Sequence, residues 1–485
     1  MSGQLAQAHV VDFPVAIFRV LINFLLTMPM RLSEPTHLWQ AVVRLALAHD
    51  IAHEALGELL SEHVPLVRKL RPVDSRARTC WLSLLANIRG QWQGSWQRLR
   101  VLRGGVCLPT ASATPCHRVP GCSGASLCPV GAGRLVLFGG RSVSGQTLGK
   151  TYVAQIVHGV ARWEELHCKV QPAPRCYHSA VLLQNRMVMF GGAGSGTMLH
   201  DDTWELELYE ASAKRGPFSA ASTLATWRLL QHRAAQCVEP AVADEELRPS
   251  GRSSHVLAEW RRQETVVLHG GLGNSGTMSD TWLLRKCGHW ELVRTFGVAP
   301  ARAHHCGAVI HDTLWLYAGQ GNMLLTSSDL SSLDLTSHTW TTVKTSQGPQ
   351  ACIDAGAAAV DGLGLLVFGG VGVDFEFVPA APWLLLHAAG DTCGGDVAAE
   401  VKATLVSATA PADSRLQADG LSASPGPRAC CSVCSDGLQV FVFGGFDGHQ
   451  DLNDLWCLNL TPECFGGTAP APQALDLLPR AIFGS

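Results

Sequence analysis

The sequence predicts a mainly all-β chain built from six similar four-stranded units and preceded by a small α-helical region. Three observations lead there. Glycine is frequent, 49 of 485 residues, as expected of a chain with many tight turns. A short apolar run closed by two small residues recurs six times, with tryptophans in register. Residues 1–90, by contrast, hold few glycines and carry apolar residues at helical spacing.

The recurring runs are Leu135 to Phe138 before Gly139-Gly140, Met187 to Phe190 before Gly191-Gly192, and Val266 to His269 before Gly270-Gly271. Leu314 to Tyr317 precedes Ala318-Gly319, Leu365 to Phe368 precedes Gly369-Gly370, and Val440 to Phe443 precedes Gly444-Gly445. The final glycines step by 52, 79, 48, 51 and 75 residues. A period of about 50 with two insertions describes them, and a fixed period of that size marks a repeat architecture. After four of the pairs comes Asp202-Thr-Trp204, Asp280-Thr-Trp282, Asp329-Leu330 or Asp454-Leu-Trp456. A second Trp opens a further strand at Trp163, Trp227, Trp290 and Trp340. Before the glycines stand Arg175, Arg252, Arg302 and Arg428, three of them continuing to His178, His255 and His305. Each unit therefore reads as four strands with turn signals between them.

These residues resemble the kelch repeat, and residues 96–460 resemble a six-bladed kelch β-propeller. The first and fifth repeats depart from the pattern. Ser123 is read at the Arg register of the first, and the fifth lacks the Arg, the Asp-x-Trp and the outer-strand Trp. The last repeat has no outer-strand Trp, but a spare one stands at Trp96. A strand near 96–101 is therefore expected to close the sixth blade, removing the open sheet edges. The insertions, near 210–225 and 393–425, are expected to be disordered, and 461–485 is an Ala/Pro-rich tail.

Phe13-Pro14 followed by apolar residues at Ile17, Leu21, Phe24 and Leu25 resembles the first helix of an F-box. Glu34-Pro35-Thr-His-Leu38-Trp39 resembles its end, while the family's middle helix with Cys-x-x-Trp has no counterpart between them. Residues 1–40 are thus read as degenerate F-box-like helices and 41–95 as a helical linker region. An ordinary apolar helical pair remains the other reading of the first segment.

Chemistry is sparse. Net charge is -3, without the basic field a nucleic-acid binder carries. The basic stretch from Arg68 to Arg103 reads as a solvated face. The apolar run 13–30 contains Pro14, Arg19 and Asn23 and lacks a basic lead, so neither a signal peptide nor a membrane span is expected. Seventeen scattered Cys suggest reduced thiols and a cytoplasmic or nuclear location. Ser144 to Thr151 nearly spells a phosphate-binding loop but has Ser144 where the first glycine belongs. Cys107, Cys116, His117, Cys122 and Cys128 lack the paired spacing of a zinc site. Copper-oxidase propellers need converging Tyr and His ligands, and this chain holds four Tyr. No catalytic residue, metal or cofactor is expected.

Two functions follow from the resemblance. In one, the chain is a substrate-recognition subunit of a cullin-type ubiquitin ligase, its layout similar to the plant light-regulated F-box/kelch receptors, though no flavin-binding segment precedes the F-box-like stretch. Pro14, Ile17, Leu21, Leu25 and Trp39 would then bind the small adaptor subunit. A protein substrate would sit on the propeller rim at Arg175, Arg252, Arg302 and Arg428, a partial ring suited to carboxylates or phosphates. The alternative role for these Arg is bracing between blades. In the other function the propeller is a scaffold or signalling interaction module without a ligase role.

Overall fold

The computed structural model describes residues 92–101, 119–157, 159–210, 223–230, 248–321, 329–343, 348–360, 363–387, 401–409 and 424–462. The chain divides into two compact units, Met1–Trp92 with Thr461–Glu463, and Gln93–Leu460 with Cys464–Ser485. The second is a six-bladed β-propeller.

Blade 1 consists of Ser126–Pro129, Arg134–Phe138, Thr151–Val157 and Val160–Leu166, with Arg100–Val101 added parallel at its outer edge. Blade 2 is Ser179–Leu183, Arg186–Phe190, Thr203–Glu210 and Thr223–Leu229. Blade 3 is Val256–Trp260, Thr265–His269, Thr281–Leu284 and Trp290–Leu292. Blade 4 is Cys306–Ile310, Thr313–Tyr317, Leu330–Asp334 and Thr339–Val343. Blade 5 is Gly356–Val360, Gly364–Phe368, Trp383–His387 and Val401–Leu405. Blade 6 runs Ser432–Asp436, Gln439–Phe443, Leu455–Pro462, then Trp92–Arg98, with Ser407–Thr409 parallel beyond. Both ends of the propeller thus meet in one sheet, and Leu99 N donates to Leu455 O at 2.9 Å.

The repeated aromatics pack between blades. Each outer-strand Trp meets the ring that ends the second strand of the preceding blade. Trp227 lies 5.1 Å from Phe138, Trp290 5.3 Å from Phe190, and Trp340 4.8 Å from His269. Trp96 lies 5.4 Å from Phe368, and Trp163 5.4 Å from Phe443. Trp96 therefore does for blade 6 what the other Trp do for theirs. Edge-to-face pairs of this kind contribute beyond the area they bury.

The glycine pair follows from the same packing. In blade 2, Gly191 has φ +68°, and a Cβ there would stand 2.7 Å from Arg252 O and 3.0 Å from His255 Cε1 of the next blade. The second glycine of every blade donates its N–H to the next blade's Arg-register carbonyl. Gly140 reaches Arg175, Gly192 Arg252, Gly271 Arg302 and Gly370 Arg428, while Gly319 reaches Cys352 and Gly445 reaches Cys122.

That bond corrects two readings. The Arg register of the first repeat is held by Cys122, not Ser123, because hairpin lengths differ and counting back from the glycines slips by one. The fifth repeat has Cys352 there, and it keeps its inner Trp: Trp383 pairs with Val367 as Trp204 pairs with Met189. The insertion at 393–425 also holds strands, Val401–Leu405 and Ser407–Thr409. Nearly all of the stretch read as F-box-like and linker, residues 1–91, lies outside the described residues, with Pro14, Ile17, Leu21, Leu25 and Trp39. So do Cys107, Cys116, His117, the segments 211–222 and 410–423, and 463–485. Among the described residues no helix is long and apolar enough to cross a membrane.

Candidate functional site

The repeated arginines come first because they are the candidate rim residues. Arg175, Arg252 and Arg428 are buried, and each is one corner of an Arg–Asp–Trp triad. Arg252 donates from Nη1 to Asp280 Oδ1 at 2.6 Å and from Nη2 to Oδ2 at 2.8 Å. Trp282 Nε1 donates to the same Oδ2 at 2.6 Å. The remaining donors go to Gly270 O at 3.1 Å and Ser250 O at 3.0 Å. Arg175 with Asp202 and Trp204, and Arg428 with Asp454 and Trp456, repeat the pattern. Burial pushes the three carboxyls up, but the guanidinium and indole donors outweigh it and hold each below its usual value. Each of these buried guanidiniums ties together its own blade rather than two neighbouring blades, and none is open to a ligand, which departs from both the partner-binding and the between-blade readings.

Arg302 differs for a local reason. Its repeat has Asp329-Leu330 without the Trp, so no indole clamps the carboxylate. Arg302 reaches backbone carbonyls of Ala318 and Asp329 at 3.3 and 3.1 Å, while Asp329 Oδ2 is 4.0 Å away and its side chain is 64% exposed. Blades 1 and 5 lack both members of the pair, with Cys122 opposite Lys150 and Cys352 opposite Ala381.

The repeat histidines are equally structural. His178, His255 and His305 are buried under the glycine pairs. Burial, then the neighbouring arginine, lowers His255 to about 3. His178 and His305 also lie well below their usual value, chiefly through burial. They are neutral at physiological pH. No group of three or more His, Cys, Asp or Glu among the described residues is placed to hold a metal ion. The segment resembling a phosphate loop is a tight turn between two strands, with Gly145 N on Ser142 O, and Lys150 is spent on Glu165 at 2.9 Å.

What the repeats leave variable is the residue before each histidine register: Gly124, Tyr177, Ser254, His304, Asp354 and Cys430. All six have left-handed backbone, with φ between +52° and +63°. Their amides close a ring around the propeller axis. Tyr177 N donates to Gly124 O, Ser254 to Tyr177, His304 to Ser254, Asp354 to His304, Cys430 to Asp354 and Gly124 to Cys430, at 2.8 to 3.0 Å. These six residues line a cavity of about 110 Å³. Nothing in the repeat motif marked this ring in advance.

The cup is chemically asymmetric. His304 Nδ1 lies 2.8 Å from Asp354 Oδ1. Burial alone would lower His304, but the bond and charge of Asp354 outweigh it, so the imidazole stands above its usual value. Tyr177 Oη is 3.8 Å from Cys430 Sγ. Burial, then the cup's other acidic groups, raises both the phenol and the thiol. A raised thiol is a poor nucleophile, and the cup shows no activated nucleophile with its base.

Sequence comparison agrees with the propeller. A kelch motif model matches residues 427–461. The chain is 28% identical over 324 residues to an Adagio-like protein 1 of Oryza sativa subsp. japonica, covering 62% of this chain and 45% of that protein. It is 27% identical over 219 residues to an F-box/kelch-repeat protein of Arabidopsis thaliana, 41% of each. It is also 27% identical over 215 residues to an acyl-CoA-binding domain-containing protein 6 of Oryza sativa subsp. japonica, 43% of this chain and 29% of that one. The chain matches under half the length of each of these relatives. The fold is a six-bladed propeller, and its last repeat matches the kelch motif. Its resemblance is to the F-box/kelch-repeat proteins.

Proposed function

We propose that the chain is a non-catalytic, protein-binding propeller that serves as a substrate-recognition subunit of a cullin-type F-box ubiquitin ligase in the cytoplasm or nucleus. The observation that carries the binding role is the axial ring. Repeated residues are consumed by blade packing, whereas six different residues, five of them with side chains, stand at the one repeated position that borders a cavity. The ligase role is supported by the F-box/kelch relative and by the F-box-like segment, where Pro14, Ile17, Leu21, Leu25 and Trp39 would form the adaptor surface. Co-purification of the full chain with the adaptor tests it. The wild type is expected to retain the adaptor and Ile17→Asp to lose it; no adaptor with either protein overturns the ligase role. A second reading, an interaction module outside any ligase, is favoured by the match to a relative named for an acyl-CoA-binding domain. Propeller partners retained without adaptor would select it.

A further inference from the structure

We infer that the axial cup is a binding site for one cationic side chain, a lysine or arginine presented by a protein partner. The inference rests on the propeller being a protein-binding module and is independent of any ligase role.

The cup is rich in acceptors, and no Lys or Arg lines it. The amides and carbonyls of the six ring residues are committed to each other, so a ligand meets side chains. Asp354 carries the one carboxylate among the lining residues; its Oδ1 holds His304 Nδ1 at 2.8 Å, so an entering cation competes with that imidazole. Below the ring, His255 and His305 are 3% and 6% exposed; neither ring nitrogen of His305 has a hydrogen-bond partner, and His255 has the Phe190 backbone alone. Ser254 Oγ is likewise buried and unpartnered. Buried polar atoms without partners are costly to leave unsatisfied, and these lie just behind the cup's wall. A neutral imidazole offers one acceptor nitrogen, and serine and carboxylate oxygens accept as well. Walls of this kind fit a ligand that donates from several N–H groups and carries positive charge. A space of about 110 Å³ admits one such head group, displacing a few waters of about 30 Å³ each.

The approach has the same character. The neighbouring loops 371–382 and 446–455 contain Asp374, Glu376, Asp447, Asp451 and Asp454 and no Lys or Arg. Asp454 is spent on Arg428, but Asp374 and Glu376 are exposed. Of the cations on the equivalent loops and blade entries, Arg141 lies over the Tyr177 ring at 5.6 Å and offsets Asp451, while Lys150 pairs with Glu165 and Arg248 with Asp201. Between the acids stand Phe375 and Val373, 84% and 62% exposed. A basic residue flanked by an apolar one matches this arrangement.

Titration calorimetry of the full chain with three peptides decides the matter: acetyl-Gly-Arg-Phe-Gly-amide, its Lys counterpart, and its citrulline counterpart. Citrulline keeps the shape of arginine without the charge. The Arg and Lys peptides are expected to bind and the citrulline peptide to bind at least about tenfold more weakly. Asp354→Asn is expected to lower affinity for the Arg peptide by about the same factor at an unchanged urea midpoint. Asp354→Gly, which also suits the left-handed backbone, is the second variant should the first not fold. Equal binding of the citrulline peptide, or undiminished binding by a folded Asp354 variant, overturns the inference. Ile17→Asp is expected to leave peptide binding unchanged, so failure of the ligase role and failure of the cup are read separately.

Discussion

Replacing Arg252 by methionine tests whether the repeat arginines brace the propeller. The guanidinium is fully buried and holds both oxygens of Asp280, at 2.6 and 2.8 Å, together with the carbonyls of Gly270 and Ser250. Methionine fills part of the volume but strands the carbonyls and the carboxylate. Breaking a buried pair by removing one partner costs roughly 3–5 kcal/mol. Asp280 keeps 31% of its side-chain exposure, so water takes up some of the loss, and roughly 3 kcal/mol is expected. Arg302→Met is the internal control. Its carboxylate partner is 4.0 Å away and exposed, so its carbonyl bonds and a long contact to Ser331 Oγ at 3.5 Å are what it loses, about 1 kcal/mol. Urea denaturation followed by tryptophan fluorescence reads both as shifts in midpoint at constant slope. A double change, Arg252→Met with Asp280→Leu, is expected to recover part of the loss, the remainder being Trp282 Nε1 without its acceptor and the Gly270 and Ser250 carbonyls without their donor. Equal losses at Arg252 and Arg302, or an unchanged midpoint at Arg252 with weakened partner capture, would refute the bracing role.

Three further outcomes are expected. Trp96→Ala removes a ring 1% exposed between Phe368 and Trp456 and is expected to cost about 3–5 kcal/mol; truncation before 92 is expected to preserve cooperative melting, truncation before 102 to abolish it. His255 and His269 are held at about 3 and about 4 when folded, below an unfolded value of about 6.5. Their stabilising contribution is therefore complete above pH ~6.5 and declines as pH falls from there toward ~4, by about 1.4 kcal/mol per pH unit for each histidine; His255→Gln is expected to flatten that slope in pH-dependent urea titrations, and an unaltered slope would count against a neutral buried imidazole. Ser254→Gly relieves a left-handed serine and removes an unpartnered hydroxyl, so stability is expected to stay within about 1 kcal/mol of wild type, which a loss of several kcal/mol in the same titration would contradict.

Most of the blade architecture was legible because packing between blades repeats the same residues. Phe138, Phe190, Phe368 and Phe443 announce one strand, and Trp163, Trp227, Trp290 and Trp340 announce another. Trp96 could be matched to blade 6 by its motif, although its partner Phe368 is distant in sequence. What failed was counting. The hairpin between the first two strands varies in length, so Ser123 was read where Cys122 stands, and Trp383 went unseen because Ala381 replaces its aspartate. Covariation within the chain would have helped: the two blades without the arginine are those without the aspartate, since a buried guanidinium and its carboxylate are kept or lost together.

The arginines misled as site candidates because repetition at a rim is equally the mark of a ligand ring and of a brace. The informative position was its opposite, the place where otherwise regular copies disagree. Left-handed backbone there favours glycine, asparagine or aspartate, and only Gly124 and Asp354 conform. Tyr177, His304 and Cys430 accept about 1–2 kcal/mol each of backbone cost, against about 0.5–1.5 kcal/mol gained from each bond of the closed amide ring. The two contributions are of similar size. Stability therefore does not choose the phenol, imidazole, carboxylate and thiol found around the axis, nor do the blades, which pack without them. On the binding role proposed above, their identity answers to what enters the cup.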